Sequence, residues 1–441
     1  MAALRFGTDG VRGRVHEELS LELAAALGRA AAEVLGGTHA VLARDPRESG
    51  LVLRDALAAG LSEAGVTPLD LGIAPTPAVA HVAAARGAFG AMISASHNPW
   101  FDNGIKFFTA EGSKLSDDQQ EAIEARLAAS PLAPPGQVPE LPAIQDDVGD
   151  WLASVASVAT ARFDRLRVVV DAANGAASHI VGPLLADLGA DVTLVAADPD
   201  GRNINEGCGS TDPGVLRRVV LEQQADLGLA LDGDADRLLC VDHLGRVVDG
   251  DHLMAILATD LRDRGRLRGD TVVVTVMSNL GFHKAMASRN IEVHVTPVGD
   301  RHILEALNHN RWSFGGEQSG HLVFLDDAST GDGCLSAVHL LDVLARSAAS
   351  LAELADAAMT SYPQVMRNVG IGTRVENPAA ALSDEIAGAE AELGEEGRVL
   401  IRASGTEPLI RVMVEASTES EAERVCTRLS NVVAERFGPG Q

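Results

Sequence analysis

Short apolar runs alternate with stretches of helical period along most of this chain. Stretches rich in Ala, Leu and charged residues predict helices at Leu21–Leu35, Glu48–Ala64 and Asp251–Arg264. The apolar runs between such stretches predict strands at Ala40–Ala43, Ala88–Ile93, Arg167–Val170, Asp191–Val195, Asp226–Leu231, Thr271–Val276 and Glu292–Thr296. This alternation is typical of parallel α/β architecture.

The length of 441 residues is about three times that of a typical domain, so we expect several domains. Five prolines between Pro131 and Pro142 indicate an extended segment that closes the first domain. After Tyr362 the pattern changes to an α+β unit. Two strands, Val399–Ile401 and Ile410–Val414, flank a loop there, and a helix closes the chain. The expected domains are residues 1–147, 148–245, 246–360 and 361–441.

Thr418 and Glu421 are expected to form a capping box at the N-terminus of the C-terminal helix.

Charge and cysteine content exclude several classes of protein. The chain has 36 Lys and Arg against 62 Asp and Glu, a formal net charge of −26 that disfavours a nucleic-acid-binding surface. The four cysteines lie far apart without a CxxC pair, which argues against a disulfide framework and a structural zinc site. No signal-peptide pattern and no run of about 18 apolar residues is present, so we expect a cytoplasmic protein without a membrane segment.

The loop Ser94–Pro99 directly follows a predicted strand. In α/β folds, ligands bind at the carboxyl ends of strands, so a serine in this loop is a candidate for a reactive hydroxyl. The alternative is an ordinary serine-rich turn or cap.

A second loop, Asp232–Arg237, carries carboxylates at every second position: Asp232, Asp234 and Asp236. Oxygen ligands of this kind suit Mg²⁺ or Ca²⁺, and three like charges are costly without a cation. An EF-hand is excluded, because Arg237 stands where that loop has its glycine and His243 where it has its bidentate glutamate. The alternatives are a solvated turn for the loop and, for Arg237, an ion pair with an aspartate instead of a phosphoryl contact.

Two further loops combine glycines with polar side chains. Gly315–His321 offers donors and acceptors for sugar hydroxyls, although a glycine-rich hairpin would look the same. Arg402–Arg411 combines two arginines and two hydroxyls into a candidate anion site. A surface hairpin whose arginines pair with Glu407 and Glu415 is the alternative. Together the four loops predict phosphoryl chemistry on a phosphosugar.

Five motifs resemble those of the α-D-phosphohexomutases, and they occur in that family's order from residue 6 to residue 412. They are FGTDGVRG at Phe6–Gly13, SASHNP at Ser94–Pro99, DGDADR at Asp232–Arg237, GEQSGH at Gly316–His321 and RASGTEPLIRV at Arg402–Val412. The resemblance implies a four-domain, heart-shaped enzyme, with three α/β domains of mixed sheets and a C-terminal α+β domain. Each domain would contribute one motif to a central cleft: the phosphoserine, the metal site, the sugar site and the phosphate site, in chain order.

The resemblance also implies individual roles. Ser96 would be the phosphoserine, and its phosphate with Asp232, Asp234 and Asp236 would hold one Mg²⁺ per subunit. Glu317 and Ser319 would bind sugar hydroxyls, and the non-reacting phosphate would be bound by Arg402, Ser404, Gly405, Thr406 and Arg411. The group around the transferred phosphoryl would be Arg12, His97, Lys106, Arg237 and His321, with Lys106 and His321 as candidates for proton transfer. Ala235 stands where many relatives have glycine.

The implied reaction converts a 6-phosphosugar to a 1-phosphosugar through a 1,6-bisphosphate. Gln318 and the sequence GTDG at residues 7–10 resemble the members of the family that act on glucosamine phosphates. The product of those members feeds UDP-N-acetylglucosamine and cell-wall synthesis. The expected partner is therefore a small phosphosugar, and relatives often form homodimers. The alternatives are a phosphomannomutase/phosphoglucomutase, a non-catalytic phosphosugar-binding protein and a simple Mg²⁺-dependent phosphatase.

Overall fold

A computed structural model describes residues 10–129, 132–372, 375, 377–404 and 408–438. The chain divides into two compact units. The first unit comprises Met1–Met277 and Ile291–Ala357, and the second comprises Ser278–Asn290 and Ala358–Gln441. The second unit is therefore built from two separate stretches of chain.

The first sheet of the first unit has five strands: β1 (Val11–Arg14), β2 (His39–Arg44), β3 (Thr67–Ile73), β4 (Phe89–Ile93) and β5 (Asp102–Phe108). Their order is β1-β5-β4-β2-β3. Strands β3, β2 and β4 run parallel, while β5 is antiparallel to both β4 and β1. Its helices are α1 (Leu21–Leu35), α2 (Gly50–Glu63), α3 (Thr76–Arg86) and α4 (Asp117–Ala129).

Close packing of α1 on α2 stabilises this part of the fold. A Cβ at Gly60 would lie 1.9 Å from the backbone oxygen of Ala25, and one at Gly28 would lie 2.4 Å from that of Leu57. Glycines at these crossing points let the two helices approach closely enough to bury their alanine-rich faces.

The second sheet also has five strands: β6 (Arg167–Asp171), β7 (Asp191–Val195), β8 (Leu227–Leu231), β9 (Leu238–Asp242) and β10 (Val247–Val248). The order is β10-β9-β8-β6-β7, with β8, β6 and β7 parallel and the other pairs antiparallel. Its helices are α5 (Val148–Ser157), α6 (Val181–Asp187) and α7 (Gly214–Gln223). Strand β10 lies just beyond the expected domain boundary at residue 245, yet it pairs with β9.

The third sheet has four strands: β11 (Thr271–Thr275), β12 (Glu292–Thr296), β13 (Phe314–Gly316) and β14 (Leu322–Phe324). Their order is β12-β11-β13-β14, and only the β13–β14 pair is antiparallel. The helices along this stretch are α8 (Gly250–Asp263), α9 (Leu280–Ser288), α10 (Asp300–Asn310), α11 (Gly333–Arg346) and α12 (Leu351–Ala358). Helix α9 belongs to the second unit.

The second unit contains an antiparallel sheet of three strands: β15 (Gln364–Gly370), β16 (Arg398–Ala403) and β17 (Leu409–Glu415), in the order β15-β17-β16. Helices α13 (Pro378–Ala381), α14 (Ser383–Leu393) and α15 (Glu419–Phe437) complete it. The buried Glu415 ties α9 to this sheet, since its carboxylate accepts from the Leu280 N–H at 3.0 Å and from the Asn279 amide at 3.3 Å.

The predicted fold class is confirmed: three sheets are mixed and flanked by helices, and the C-terminal unit is α+β. Every predicted strand and helix named above is present, with its ends shifted by no more than two residues. The hydroxyl of Thr418 caps α15 by accepting from the Glu421 N–H at 3.3 Å. The second half of the predicted capping box is altered, because the Glu421 carboxylate accepts from the hydroxyl of Ser417.

Within the described ranges, no single helix is long and apolar enough to cross a membrane. One pair, Gly333–Arg346 with Leu351–Ala358, passes that test of length and composition together, but it is bent by 100°.

Candidate active site

Ser96 lies in the loop between β4 and β5, fully buried and in a left-handed backbone conformation with φ of 52°. For a residue with a Cβ, this conformation costs about 1 to 2 kcal/mol. Its N–H donates to the hydroxyl of Ser94 at 2.9 Å, and its own hydroxyl donates to Asp232. The structure thus directs the candidate reactive hydroxyl toward the predicted metal loop.

The metal loop connects β8 to β9 and holds the three carboxylates together. Asp232, Asp234 and Asp236 are each at most 2% exposed, and their ligand oxygens lie within 4.8 Å of one another. Ala235 has a φ of 56°, so the residue that replaces glycine here occupies a left-handed position. The predicted convergence of the carboxylates is confirmed.

The electrostatics of this cluster fit a divalent cation. Burial raises the pKa of Asp232 well above its usual range, and repulsion from Asp236 and Asp234 raises it further. Among the described side chains, Oδ1 of Asp234 is buried without a hydrogen-bond donor. A hard cation would both use that oxygen and relieve the repulsion.

Lys106 and Thr76 bind the aspartates of the metal loop from the first part of the chain. Lys106, on β5, places Nζ 2.7 Å from Oδ2 of Asp234 and 3.3 Å from Oδ2 of Asp236. Thr76, at the start of α3, donates its hydroxyl to Oδ2 of Asp234 at 2.5 Å, and its N–H to the backbone oxygen of the same residue at 3.0 Å. The metal loop is therefore held by β5 and by the start of α3.

His321 lies buried between two carboxylates. Its Nδ1 is 3.7 Å from Oδ1 of Asp236, and its Nε2 is 3.2 Å from Oδ2 of Asp300, which is in turn paired with Lys114. Burial opposes the charged form of the ring, but Asp300 and Asp236 outweigh it and raise the pKa of His321. The alternating charges form a continuous buried row next to the metal loop.

Three more predicted residues lie around Ser96. Nδ1 of His97 is 3.2 Å from the Ser96 hydroxyl oxygen. Burial lowers the pKa of His97 to about 4, and the charges of Arg237 and Arg12 lower it further. The backbone N–H of Arg237 donates to Oδ1 of Asp232 at 3.2 Å. Its side chain forms an ion pair with Asp236, with Nε 3.8 Å from Oδ1. This ion pair was the alternative role for Arg237, and the side chain remains partly exposed.

The predicted sugar loop lies between β13 and β14, with Glu317 and Ser319 half-buried. The Ser319 hydroxyl donates to Glu317 at 3.4 Å, and the other carboxylate oxygen of Glu317 accepts from the Gly299 N–H at 3.2 Å. Gly320 has a φ of 89°, and a Cβ there would lie 2.1 Å from the backbone oxygen of Leu238. The loop is thus fixed against the start of β9, directly after the metal loop.

In the second unit, two arginines lie side by side. Arg402 on β16 and Arg411 on β17 are cross-strand partners, so their side chains emerge on the same face. Burial and the neighbouring Arg411 lower the pKa of Arg402. Ser404 is 4% exposed and donates its N–H to Leu409 at 2.9 Å. Two adjacent cations favour an anionic ligand.

Some predicted features lie outside the described residues: Gly405, Thr406 and the GTDG opening before Gly10. Other residues were not predicted and lie in the site, namely Thr76, Asp300 and Lys114. Thr76 and Asp300 both begin helices after parallel strands, and for Asp300, whose strand was predicted, that position was the available signal.

Comparison with known proteins shows which protein family this chain is similar to. Four models of phosphoglucomutase/phosphomannomutase domains match the chain: alpha/beta/alpha domain I at residues 3–133, domain II at 150–245, domain III at 249–362 and the C-terminal domain at 345–432. The phosphoglucosamine mutase of Arthrobacter sp. (strain FB24) is 48% identical over 447 residues, 98% of each chain. That of Frankia alni is 50% identical, over 97% of each chain.

Solved structures agree at the level of the fold. A phosphoglucomutase/phosphomannomutase family protein from Burkholderia thailandensis has a TM-score of 0.82 at 25% identity and covers 99% of this chain and 98% of its own. The Aspergillus fumigatus N-acetylphosphoglucosamine mutase, in complex with GlcNAc-6P and magnesium, has a TM-score of 0.69 at 19% identity, over 98% of this chain and 95% of its own. Matched domain by domain and along almost its whole length, the chain belongs to the phosphoglucomutase/phosphomannomutase family.

Proposed function

We propose that this chain interconverts glucosamine 6-phosphate and glucosamine 1-phosphate through a phosphorylated Ser96. The observation that carries the proposal is the buried Ser96 hydroxyl, which lies 3.2 Å from Nδ1 of His97 and donates to Asp232. Asp232 belongs to a cluster of three aspartates, and Lys106 donates to another of them, Asp234. The choice of glucosamine rests on the full-length relatives named phosphoglucosamine mutase.

In the first half-reaction, the bond between Ser96 Oγ and phosphorus breaks, and a bond forms from phosphorus to the C1 hydroxyl oxygen of glucosamine 6-phosphate. The C1 hydroxyl loses its proton to a basic side chain, and Ser96 Oγ gains one. Lys106 and His321 are the side chains that we propose for these two transfers. The product is glucosamine 1,6-bisphosphate.

In the second half-reaction, the intermediate is bound with its ends exchanged. The bond between the C6 oxygen and phosphorus breaks, and a bond forms from phosphorus to Ser96 Oγ. Ser96 loses its proton to a basic side chain, the C6 oxygen gains one, and glucosamine 1-phosphate leaves. Arg402, Ser404, Gly405, Thr406 and Arg411 would bind whichever phosphate is not reacting. Arginine contacts to phosphate oxygens do not depend on the carbon that carries the phosphate, so one site serves both orientations. Glu317 and Ser319 would orient the sugar through its hydroxyls.

Asp232, Asp234 and Asp236, together with the phosphate on Ser96, would hold one Mg²⁺. When bound, the ion neutralises charge on the transferred phosphoryl group. Arg237 and Arg12 would contact the same group, and the burial of Ser96 would limit the access of water to its phosphate.

The test is a competition between substrates. Purified protein with Mg²⁺ and a trace of glucose 1,6-bisphosphate receives glucosamine 6-phosphate, glucose 6-phosphate or mannose 6-phosphate, and kcat/KM is measured for each 1-phosphate product. A preference of about tenfold for the amino sugar, roughly 1.4 kcal/mol, supports the proposal. Equal use of the plain hexoses points to a phosphomannomutase/phosphoglucomutase, and release of inorganic phosphate without isomerisation points to a phosphatase.

The phosphoserine itself is tested by Ser96→Ala. We expect this variant to lose nearly all mutase activity while its unfolding midpoint stays near that of the wild type, because one buried hydroxyl is removed without a large cavity. Near-normal turnover in Ser96→Ala would exclude the phosphoserine mechanism.

A further inference from the structure

The left-handed conformation of Ser96 needs support from its surroundings. A serine has no intrinsic preference for a φ of 52°, so the strain persists only where neighbouring groups hold the backbone. The Ser94 hydroxyl accepts the Ser96 N–H on one side, and the Asn98 N–H donates to Ala95 at 3.0 Å. These contacts lie within the loop and leave the carbonyls of Ser96 and Asn98 to be satisfied from elsewhere.

Two side chains from outside the loop bind both of these carbonyls. The guanidinium of Arg47 donates to the Ser96 oxygen at 3.2 Å and to the Asn98 oxygen at 2.5 Å. The amide of Asn205 donates to the same two oxygens, at 2.8 Å and 3.0 Å. Because a carbonyl oxygen only accepts hydrogen bonds, the amide nitrogen of Asn205 must face them. We refer to Arg47 and Asn205 as the carbonyl clamp.

Each member of the clamp is fixed in its own domain. Arg47 follows β2, is 1% exposed and forms a buried ion pair with Asp45. Asn205 lies in the loop after β7. It also has a left-handed φ, of 58°, which asparagine tolerates well, and its N–H donates to the Ala173 backbone oxygen at 2.9 Å. The clamp therefore connects the first and second sheets through the serine loop.

The metal loop meets the clamp at Gly233. A Cβ on Gly233 would lie 2.6 Å from the Ser96 oxygen, 2.8 Å from the buried Ile204 and 3.0 Å from the Asn205 amide. The backbone of the metal loop, the carbonyl of Ser96 and the amide of Asn205 are thus in mutual contact. We therefore expect a change in the Asn205 amide to alter the position of Ser96 relative to the aspartates.

We propose that Asn205 is a positioning residue, which holds the Ser96 backbone so that the serine oxygen keeps its place beside the metal loop in both its free and its phosphorylated form. This inference deepens the proposed function and rests on it. Asn205 donates to the backbone oxygens of Ser96 and Asn98 and is assigned no contact with the substrate or the reacting atoms. Its loss therefore slows phosphoryl transfer without weakening substrate binding.

Arg47 is unsuitable for the test, because its removal would leave Asp45 as an unpaired buried charge and so threaten folding. Asn205→Asp replaces the amide donor by an acceptor that faces two carbonyl oxygens. Asn205→Gly removes the donor and keeps the left-handed backbone unstrained. The matched control is Asn203→Asp in the same loop. Its amide donates to the Asp198 backbone oxygen at 3.0 Å, and the hydrogen bonds of Asn203 to other described residues are with Asn174, Asp198, Asp200 and Glu206.

The measurements are steady-state kinetics with glucosamine 6-phosphate and the single-turnover transfer of radiolabelled phosphate from Ser96 to that sugar. We expect kcat and the transfer rate to fall about tenfold or more in Asn205→Asp and by a smaller factor in Asn205→Gly, with KM unchanged. Asn203→Asp should keep the wild-type kcat. Equal effects of the two Asp variants, or a rise in KM with an unchanged transfer rate, would overturn the inference.

A crystal structure of Asn205→Gly gives a readout that does not depend on activity. Departure of Ser96 from the left-handed region, or a shift of its carbonyl away from Gly233, supports the inference, and an unchanged loop overturns it. If the wild-type protein isomerises none of the three phosphosugars, the proposed function fails while this structural readout still decides the role of Asn205.

Discussion

Gly233→Ala should disable the site through one added methyl group. Gly233 lies outside the left-handed region, so alanine adds no backbone strain and the effect is steric. The new Cβ would lie 2.6 Å from the Ser96 oxygen, 0.8 Å short of the 3.4 Å at which ordinary contact begins. Ile204 can give way through its flexible end, but the Ser96 carbonyl is held by Arg47 and Asn205.

Either the metal loop or the serine loop must therefore move by nearly 1 Å. Overpacking of this kind costs about 1 to 3 kcal/mol of stability, and a displacement of that size at reacting groups costs about a hundredfold in rate. We expect kcat for glucosamine 6-phosphate to fall by about that factor, with a modest decrease in the unfolding midpoint. Gly149→Ala, at a position in α5 with open space around it, is the control and should be neutral or slightly stabilising. A kcat within about threefold of wild type would refute the reasoning.

Three further predictions concern the arginine pair, the metal loop and a buried carboxylate. Arg411→Ala should raise KM for glucosamine 6-phosphate by about tenfold to a hundredfold, because charge-assisted hydrogen bonds to phosphate are lost. Steady-state kinetics measure this change, and the control variant Arg428→Ala, at an exposed position, should leave KM unchanged. Mg²⁺ should raise the unfolding midpoint measured by calorimetry, because binding at a hundred times Kd adds about 2.7 kcal/mol to the free energy of unfolding. Asp234→Asn should reduce this stabilisation, and equal stabilisation of both proteins by Mg²⁺ would contradict the metal site. Burial raises the pKa of Asp171 to about 6, so its contribution to stability is complete below its unfolded pKa and is lost as the pH rises through about 6. Relative to Asp171→Asn, the wild type should lose about 1.5 kcal/mol between about pH 5 and pH 7.5 in urea unfolding, and a constant difference would count against the raised pKa.

The sequence predicted those parts of the site whose residues are close together in the chain. Three aspartates at alternate positions after an apolar strand predict a cation site, because three like charges so close together are costly without a cation. Lys106 was identified only through its motif. The strand that carries it was not predicted, because a lysine interrupts the apolar run from Ile105 to Phe108. Its buried ammonium group donates to Asp234 and Asp236, which are 128 and 130 residues away.

The residues that escaped prediction act through long-range contacts. Thr76 lies 158 residues from the aspartate that it binds, and Asn205 lies 109 residues from Ser96. Neither has a neighbour in the sequence that indicates chemistry. Each does follow a strand that pairs in parallel with its neighbour, however, and the carboxyl ends of parallel strands meet at one edge. Arg47 and Asn205 lie after predicted strands and could have been selected on that ground. Thr76 could not, because it follows β3, which was not predicted.

The divided second unit has a consequence for the order in which the chain folds during synthesis. Asn279 leaves the ribosome 136 residues before Glu415, the side chain that accepts from its amide. The nine residues of α9 are too few to form a stable helix alone, so this segment stays without its partner until the last sheet has been made. A fragment that begins at Ala358 would lack α9 and would leave the buried Glu415 carboxylate without two of its donors. The C-terminal unit is therefore defined by its contacts and cannot be separated by a single cut.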